Sequence, residues 1–388
     1  MVAGRRYGTR VTRPNLSNWM TPPYQTWSFR HVREIIPTER IRKAAVTREL
    51  PPEPRPEILD LTFEAHDGPV ILRDFLRERE RDALVVLHNG NLAAEWLADG
   101  MRDDEPHLIF SVTKSITGLL ANALASAGLL DLDKTVADYV PEAAAGGFGN
   151  ATLHQMLDME ASYAFVEDYS PGPDVTAYRH AAGWYPAPAG APALEEFLLT
   201  RQAEGEHGQK FRYLSPTTDM VGVVCARVSG MTWAQAVSTY LFQAAGAEEH
   251  AEVTIDREGT PRAAGGLCIL PRDLARIGQL VADGGRGAVS AEYLDDIMHG
   301  GDPEHWAIGD FAEFFPGGAY RSFWYKPRVD PDVVLGVGIH GQHLYVDVAR
   351  NVVVVILSSW AEPDNEVRHS DNYIAARTIA RSYDTWTG

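Results

Sequence analysis

The stretch "FSVTKSITGLL" places Ser111 three residues before Lys114, where an apolar periodicity begins. Residues three apart share a helix face, so a lysine at this spacing can reach the serine hydroxyl. A serine hydroxyl is a weak nucleophile until something accepts its proton. Lys114 can do so only if it is neutral near pH 7, which requires its pKa to fall from about 10.4 by about three units. Burial and the positive end of a helix both act in that direction. The plain alternative is an ordinary helix start, with Ser111 as N-cap and Lys114 in solvent. Lysine is scarce, occurring only at Lys43, Lys114, Lys134, Lys210 and Lys326. Chance would give about 0.2 Ser-x-x-Lys pairs in such a chain.

Acyl transfer through a serine also needs a proton for the leaving group and donors for a developing oxyanion. "GQKFRYLSPTTD" offers Tyr213, with Ser215 two places on. A tyrosine beside a charged lysine is expected to have a lowered pKa and to pass a proton; otherwise it is a half-buried loop tyrosine. The Ser111 N–H, near the helix start, can bind an oxyanion. The glycines of "GVGIHGQ" let backbone approach a ligand closely, or simply ease sheet packing.

These residues need elements to position them. "DALVVLHNGNLAAEWL" reads as a hairpin around Asn89-Gly90, a pair that tolerates positive φ. Ile116, Leu119, Leu120, Ala123 and Leu124 continue the opening motif at helical spacing, and Gly128 is expected to stop that helix. From about 140 to 300, short helical patterns alternate with Pro/Gly loops such as "YSPGPD" and "WYPAPAGAPA". "PRDLARIGQLVADGG" is an amphipathic helix with a glycine stop; "VVLGVGI" and "HLYVDVARNVVVVILSS" are strands, the second a hairpin turning at Arg350-Asn351. "DNYIAARTIARSY" closes the chain as a helix. This order predicts an α/β architecture whose sheet comes from both chain ends, with a helical lobe inserted. Residues 1–55 are expected to wrap the surface, 56–110 with 310–388 to form the α/β lobe, and 111–309 to form the mainly helical lobe, with the site between the lobes.

Composition narrows the function. The 388 residues carry a net charge of −18 with no clustered basic face, which excludes nucleic acid as an expected partner. The N-terminal arginines precede no apolar run, and no stretch is long enough to span a membrane, so no export signal and no membrane partner are expected. Cys225 and Cys268 lack metal or redox spacing and read as buried free thiols in a reducing cytoplasm. Among the 13 histidines there is no His-Glu-x-x-His, and His340/His343 in "HGQH" is a weak metal signal, so no metal is expected.

Ser-x-x-Lys, then Tyr-x-Ser about 100 residues on, then a glycine-rich strand near the C-terminus, resembles the order found in serine β-lactamase-like hydrolases. Within them, "NWMTPPYQTWSFRHVREIIP", "VEDYSPGPD", "AAGWY", "SFWY" and "GVGIHGQHLYVD" are similar to segments of the 6-aminohexanoate-dimer hydrolases, amidases with carboxylesterase activity. The resemblance implies a serine β-lactamase-like fold, an antiparallel sheet flanked by helices plus the inserted lobe, and an acyl-enzyme mechanism without cofactor. It implies Ser111 as nucleophile, Lys114 as proton acceptor and Tyr213 as proton donor, with the backbone N–H groups of Ser111 and Ile339 as the oxyanion hole. Tyr169, Trp184 and Trp324 fall where that group lines its substrate cleft, and Ser215, Arg179 and His340 are placed in the substrate site with them. Two departures bear on substrate. The last strand reads Gly336-Val337-Gly338 where β-lactamases carry Lys-Thr-Gly, so poor penicillin hydrolysis is expected. Arg179 stands where the nylon-oligomer enzymes have an aspartate that holds a free amine, and an arginine would attract a carboxylate instead. The substrate expected is a small ester, with amides second. An acyltransferase, a DD-peptidase-like enzyme and a catalytically silent binding protein are the alternatives. A homodimer is compatible with the sequence, though no feature calls for one.

Overall fold

The computed structural model describes residues 13–168 and 172–385. Its main sheet is built from both halves of the chain: Arg81–His88 (β1), Asn91–Leu97 (β2), Ala319–Arg321 (β3), Trp324–Lys326 (β4), Val333–Gly338 (β5), Gln342–Asp347 (β6) and Val352–Ser358 (β7). The spatial order is β2-β1-β7-β6-β5-β4-β3, with every neighbouring pair antiparallel. Strands β1 and β7 are central and covered on both faces, which explains their unbroken apolar sequences where one-sided strands would alternate. Asn89 and Gly90 both have positive φ, at 50° and 78°, as a two-residue hairpin turn requires.

Five helices matter to the site: Val112–Ser126 (α1), Pro173–Ala181 (α2), Ser215–Ser229 (α3), Pro271–Ala282 (α4) and Glu366–Arg381 (α5). Helix α4 packs against β7, β6 and β1, although it falls in the segment assigned above to the helical lobe. Gly278 makes that fit close, since a Cβ there would stand 2.6 Å from Val353 and 2.9 Å from Leu344. Helix α5 covers the opposite face, where His343, next to Leu344 and pointing the other way, meets His369. Helices α1 and α3 pack on each other, and α1 also leans on β5.

The N-terminal segment is more than a wrapping. Thr38–Ile41 pairs with Ala251–Thr254, which continues through Leu267–Ile269 to His107–Leu108 in a four-stranded sheet directly before Ser111. Phe29 stacks edge-on against Phe110 with ring centroids 4.8 Å apart. Trp19 is fully buried and donates its indole N–H to the Trp184 carbonyl at 3.0 Å. Residues 19–41 therefore form the back of the cleft. Among the described residues, no helix is long and apolar enough to cross a membrane.

Candidate active site

Ser111 stands at the first turn of α1, and its side chain caps nothing. Lys114 Nζ lies 2.9 Å from its Oγ, which answers the helix-start alternative: the hydroxyl is engaged by the lysine and not by a backbone N–H. Phe110, just before it, has φ of 43°, a left-handed conformation that an aromatic residue adopts only when its surroundings impose it. The Phe110 ring is held by Phe29, Trp184 and His340, so the turn presenting Ser111 is fixed from behind.

Lys114 is only 1% exposed. Its pKa is lowered to about 7: burial is the main cause and Arg262 adds to it, while Glu167 and Asp219 pull the other way. Its second hydrogen bond goes to the Ala264 carbonyl at 3.0 Å. That carbonyl is fixed by a buried network: the Ala264 N–H donates to Asp219 Oδ1 at 2.7 Å, while Tyr178 and Arg262 both donate to Oδ2. Thr117, on α1, donates to the neighbouring Ala263 carbonyl at 2.8 Å. With one Nζ hydrogen held by Ala264, the lone pair of the neutral amine can face the Ser111 hydroxyl.

Tyr213 is buried, its ring centroid is 4.9 Å from Lys114 Nζ, and its backbone N–H donates to Asp310 at 2.9 Å. Its hydroxyl bonds with Ser111 and Tyr325. The lowered phenol pKa expected from sequence is corrected: burial pushes it above the usual range, and the bonds to Ser111 and Tyr325 offset only part of that. The Tyr213 phenol is thus protonated throughout the physiological range.

Ser215 donates its hydroxyl to Glu167 Oε1 at 2.7 Å and its backbone N–H to Oε2 at 3.0 Å. Glu167 lies within "VEDYSPGPD", and the sequence alone assigns its carboxylate no role, because nothing local ties it to a lysine 53 positions away. The oxyanion-hole expectation rests on a close backbone approach, and Gly338 supplies one. A Cβ there would stand 3.0 Å from the Ser111 nitrogen and 2.7 Å from the Ile109 carbonyl, so only glycine lets the end of β5 lie against the nucleophile turn.

Two cavities share Ser111 and Ile339. One is lined by Trp184, Arg179, Glu167 and Ser215 as well as Lys114. In it the Arg179 guanidinium donates to the Tyr185 hydroxyl at 2.6 Å, and the Trp184 indole N–H donates to Thr254 at 2.9 Å. The other is lined by Tyr213, Tyr325, Phe311, Phe314 and His369, with Asp364 and Glu366. A larger groove of about 880 Å³ continues past Tyr213 and Glu167.

Two sequence assignments are corrected. Trp324 is fully buried and lines neither cavity; it alternates with Tyr325 on β4, so when Tyr325 faces the cavity Trp324 must point the other way. His340 is also buried behind the site, packed on Phe29 and Phe110, with Nδ1 2.6 Å from the Trp360 carbonyl, and burial takes its imidazole down to about 4. Its backbone neighbour Ile339, not its ring, faces the cavity. Tyr169 lies outside the described residues.

Comparison with known proteins points one way. A family model described as Beta-lactamase matches residues 72–378. The chain is 35% identical over 383 residues to the 6-aminohexanoate-dimer hydrolase of Paenarthrobacter ureafaciens, covering 97% of this chain and 96% of that protein. A solved structure from Bacillus anthracis, assigned to the 6-aminohexanoate-dimer hydrolases, superposes with a TM-score of 0.86 at 27% identity, over 97% of this chain and 100% of the other. EstCE1, described as a hydrolase with promiscuous acyltransferase activity, shares the fold at a TM-score of 0.60 and 14% identity, over 79% of this chain and 95% of its own.

Proposed function

Because the chain belongs to the Beta-lactamase family and is a hydrolase related to 6-aminohexanoate-dimer hydrolase, we propose that it cleaves carboxylic esters, and amides more slowly, through an acyl-enzyme on Ser111. The observation that carries this reading is the 2.9 Å contact between Ser111 Oγ and a fully buried Lys114 that titrates near 7. In the first step the neutral Lys114 takes the Ser111 proton as Oγ attacks the carbonyl carbon. The carbonyl electron pair moves onto oxygen, beside the N–H groups of Ser111 and Ile339. Collapse of that intermediate re-forms the carbonyl and expels the alkoxide or amine. Tyr213 gives the leaving group its proton and is reprotonated from Lys114. Water then repeats the sequence on the acyl-enzyme and releases the acid.

The substrate follows from the walls. Arg179 beside Trp184 and Ser111 supports an arm bearing a carboxylate in place of a free amine, so the linear 6-aminohexanoate dimer is a poor substrate. Penicillins are poor as well, since Gly336-Val337-Gly338 brings no cation to the last strand facing the site. Intact-mass measurement after exposure to activated esters tests the proposal directly. A mass increase equal to the acyl group is expected in the native chain and none in Ser111→Ala, which should stay folded and inactive. Full activity in that variant would refute the mechanism, and no adduct or turnover with any ester would leave a silent binding protein.

A further inference from the structure

Behind the second cavity, β6 and α5 bring two buried histidines together, with His343 Nε2 2.9 Å from His369 Nδ1. His343 is fully buried and its Nδ1 has no partner among the described residues. His369 is 5% exposed and lines the cavity that holds Ser111; its Nε2 has no hydrogen-bond partner among the described residues. Burial keeps both rings neutral, and the repulsion of Arg81 adds to it. Each neutral ring has one N–H and one lone pair. A buried N–H left unpaired is rarer and costlier than an unpaired lone pair. The proton between the rings therefore belongs to His343 Nε2, which leaves a bare lone pair at the orphaned Nδ1. His369 accepts at Nδ1 and must carry its own hydrogen on Nε2.

We propose that His369 is a specificity-determining residue whose Nε2–H donates to a neutral oxygen on the substrate arm lodged among Tyr213, Phe311, Phe314, Tyr325 and Val337. The walls present mainly aromatic and aliphatic surface, and the Tyr213 hydroxyl is engaged with Ser111 and Tyr325, so the His369 donor on the far side favours an arm with an acceptor over a purely hydrocarbon one. Asp364 and Glu366 line the same cavity and disfavour a carboxylate, which makes an ether or carbonyl oxygen the fitting acceptor. The inference rests on the acyl-enzyme reading above, and deepens it by naming what this arm carries.

The test uses activated esters matched in length, with one methylene replaced by an ether oxygen. One series varies the acyl arm and a second the alcohol arm. The readout is the ratio of kcat/KM for the ether over its hydrocarbon twin. In one series the native enzyme should favour the ether by about fivefold, mainly through KM, as one neutral hydrogen bond provides. His369→Phe should bring the ratio to one or below, because the ether oxygen then faces a phenyl ring and loses its hydration without gaining the His369 donor. His369→Gln should restore part of the preference. A native ratio near one in both series overturns the proposal, even where His369→Phe does not fold. An unchanged ratio in a folded His369→Phe overturns it as well. Failure of every ester to acylate Ser111 is a different result, which refutes the hydrolase mechanism and this inference with it.

Discussion

Replacing Glu167 by glutamine should move the acidic limb of the pH–activity profile to lower pH. The proposed mechanism requires the neutral form of Lys114, whose pKa is lowered to about 7, chiefly by burial. Protonation blocks the base, so kcat/KM should be about half maximal near pH 7 and fall about tenfold for each unit below it. An unshifted lysine would be neutral in on the order of one molecule in a few thousand at that pH, so burial is worth about a thousandfold in competent enzyme. Glu167 opposes part of this gain. Its carboxylate is the foremost of the charges that raise the Lys114 pKa, and a nearby opposite charge shifts a pKa by roughly one unit or more. Glutamine keeps an oxygen for the Ser215 hydroxyl, which now donates at 2.7 Å, while losing the charge. The assay is kcat/KM for a p-nitrophenyl ester from about pH 5 to pH 9, with spontaneous hydrolysis subtracted. The expected result is a limb near 7 in the native enzyme and about one unit lower in Glu167→Gln, with rates at high pH little changed. A native profile flat across the range, or a limb that stays or moves up in the variant, would refute the account of Lys114 as a base tuned by burial against Glu167.

Three further outcomes follow from the same geometry. Tyr213→Phe should cost about a hundredfold on amides and under about tenfold on p-nitrophenyl esters, because an amine must leave protonated and nitrophenolate need not; parallel losses in kcat on both would remove Tyr213 from that role. Arg179→Asp should change the kcat/KM ratio of amine-bearing to carboxylate-bearing esters by about tenfold or more toward the amine, a swing of on the order of 1 kcal/mol each way at a half-exposed site; an unchanged ratio would mean that its bond to Tyr185 keeps the guanidinium off the substrate. Gly338→Ala should lower kcat by about a hundredfold with Tm falling only modestly, since the added methyl meets the Ser111 nitrogen and the Ile109 carbonyl at the oxyanion position; near-native kcat would show that the end of β5 takes no part in catalysis.

Much of this protein is local information. The Ser111–Lys114 spacing places two side chains on one helical face whatever surrounds them. Asn89-Gly90 and Arg350-Asn351 specify turns through their own backbone preferences, and the strand "VVVVIL" announces burial on both faces. Tyr213, Ser215 and the glycines of β5 were legible for the same reason, with the family resemblance ordering them. What the sequence could not settle depends on neighbours far along the chain. The Lys114 pKa falls because the 262–265 loop and the helical lobe strip water from it, against the opposing pull of Glu167 and Asp219. Tyr213 holds its proton because burial pushes its phenol up and the bonds to Ser111 and Tyr325 offset only part of that. Trp324 and His340 look like cleft residues in sequence and lie inside, because strand alternation and the packing of Phe29 and Phe110 turn them away. Glu167 and the His343–His369 pair gain their roles only when separate segments close on one another. Spacing and turn chemistry act over a few residues, whereas solvent exclusion and the fields within it are properties of the assembled fold.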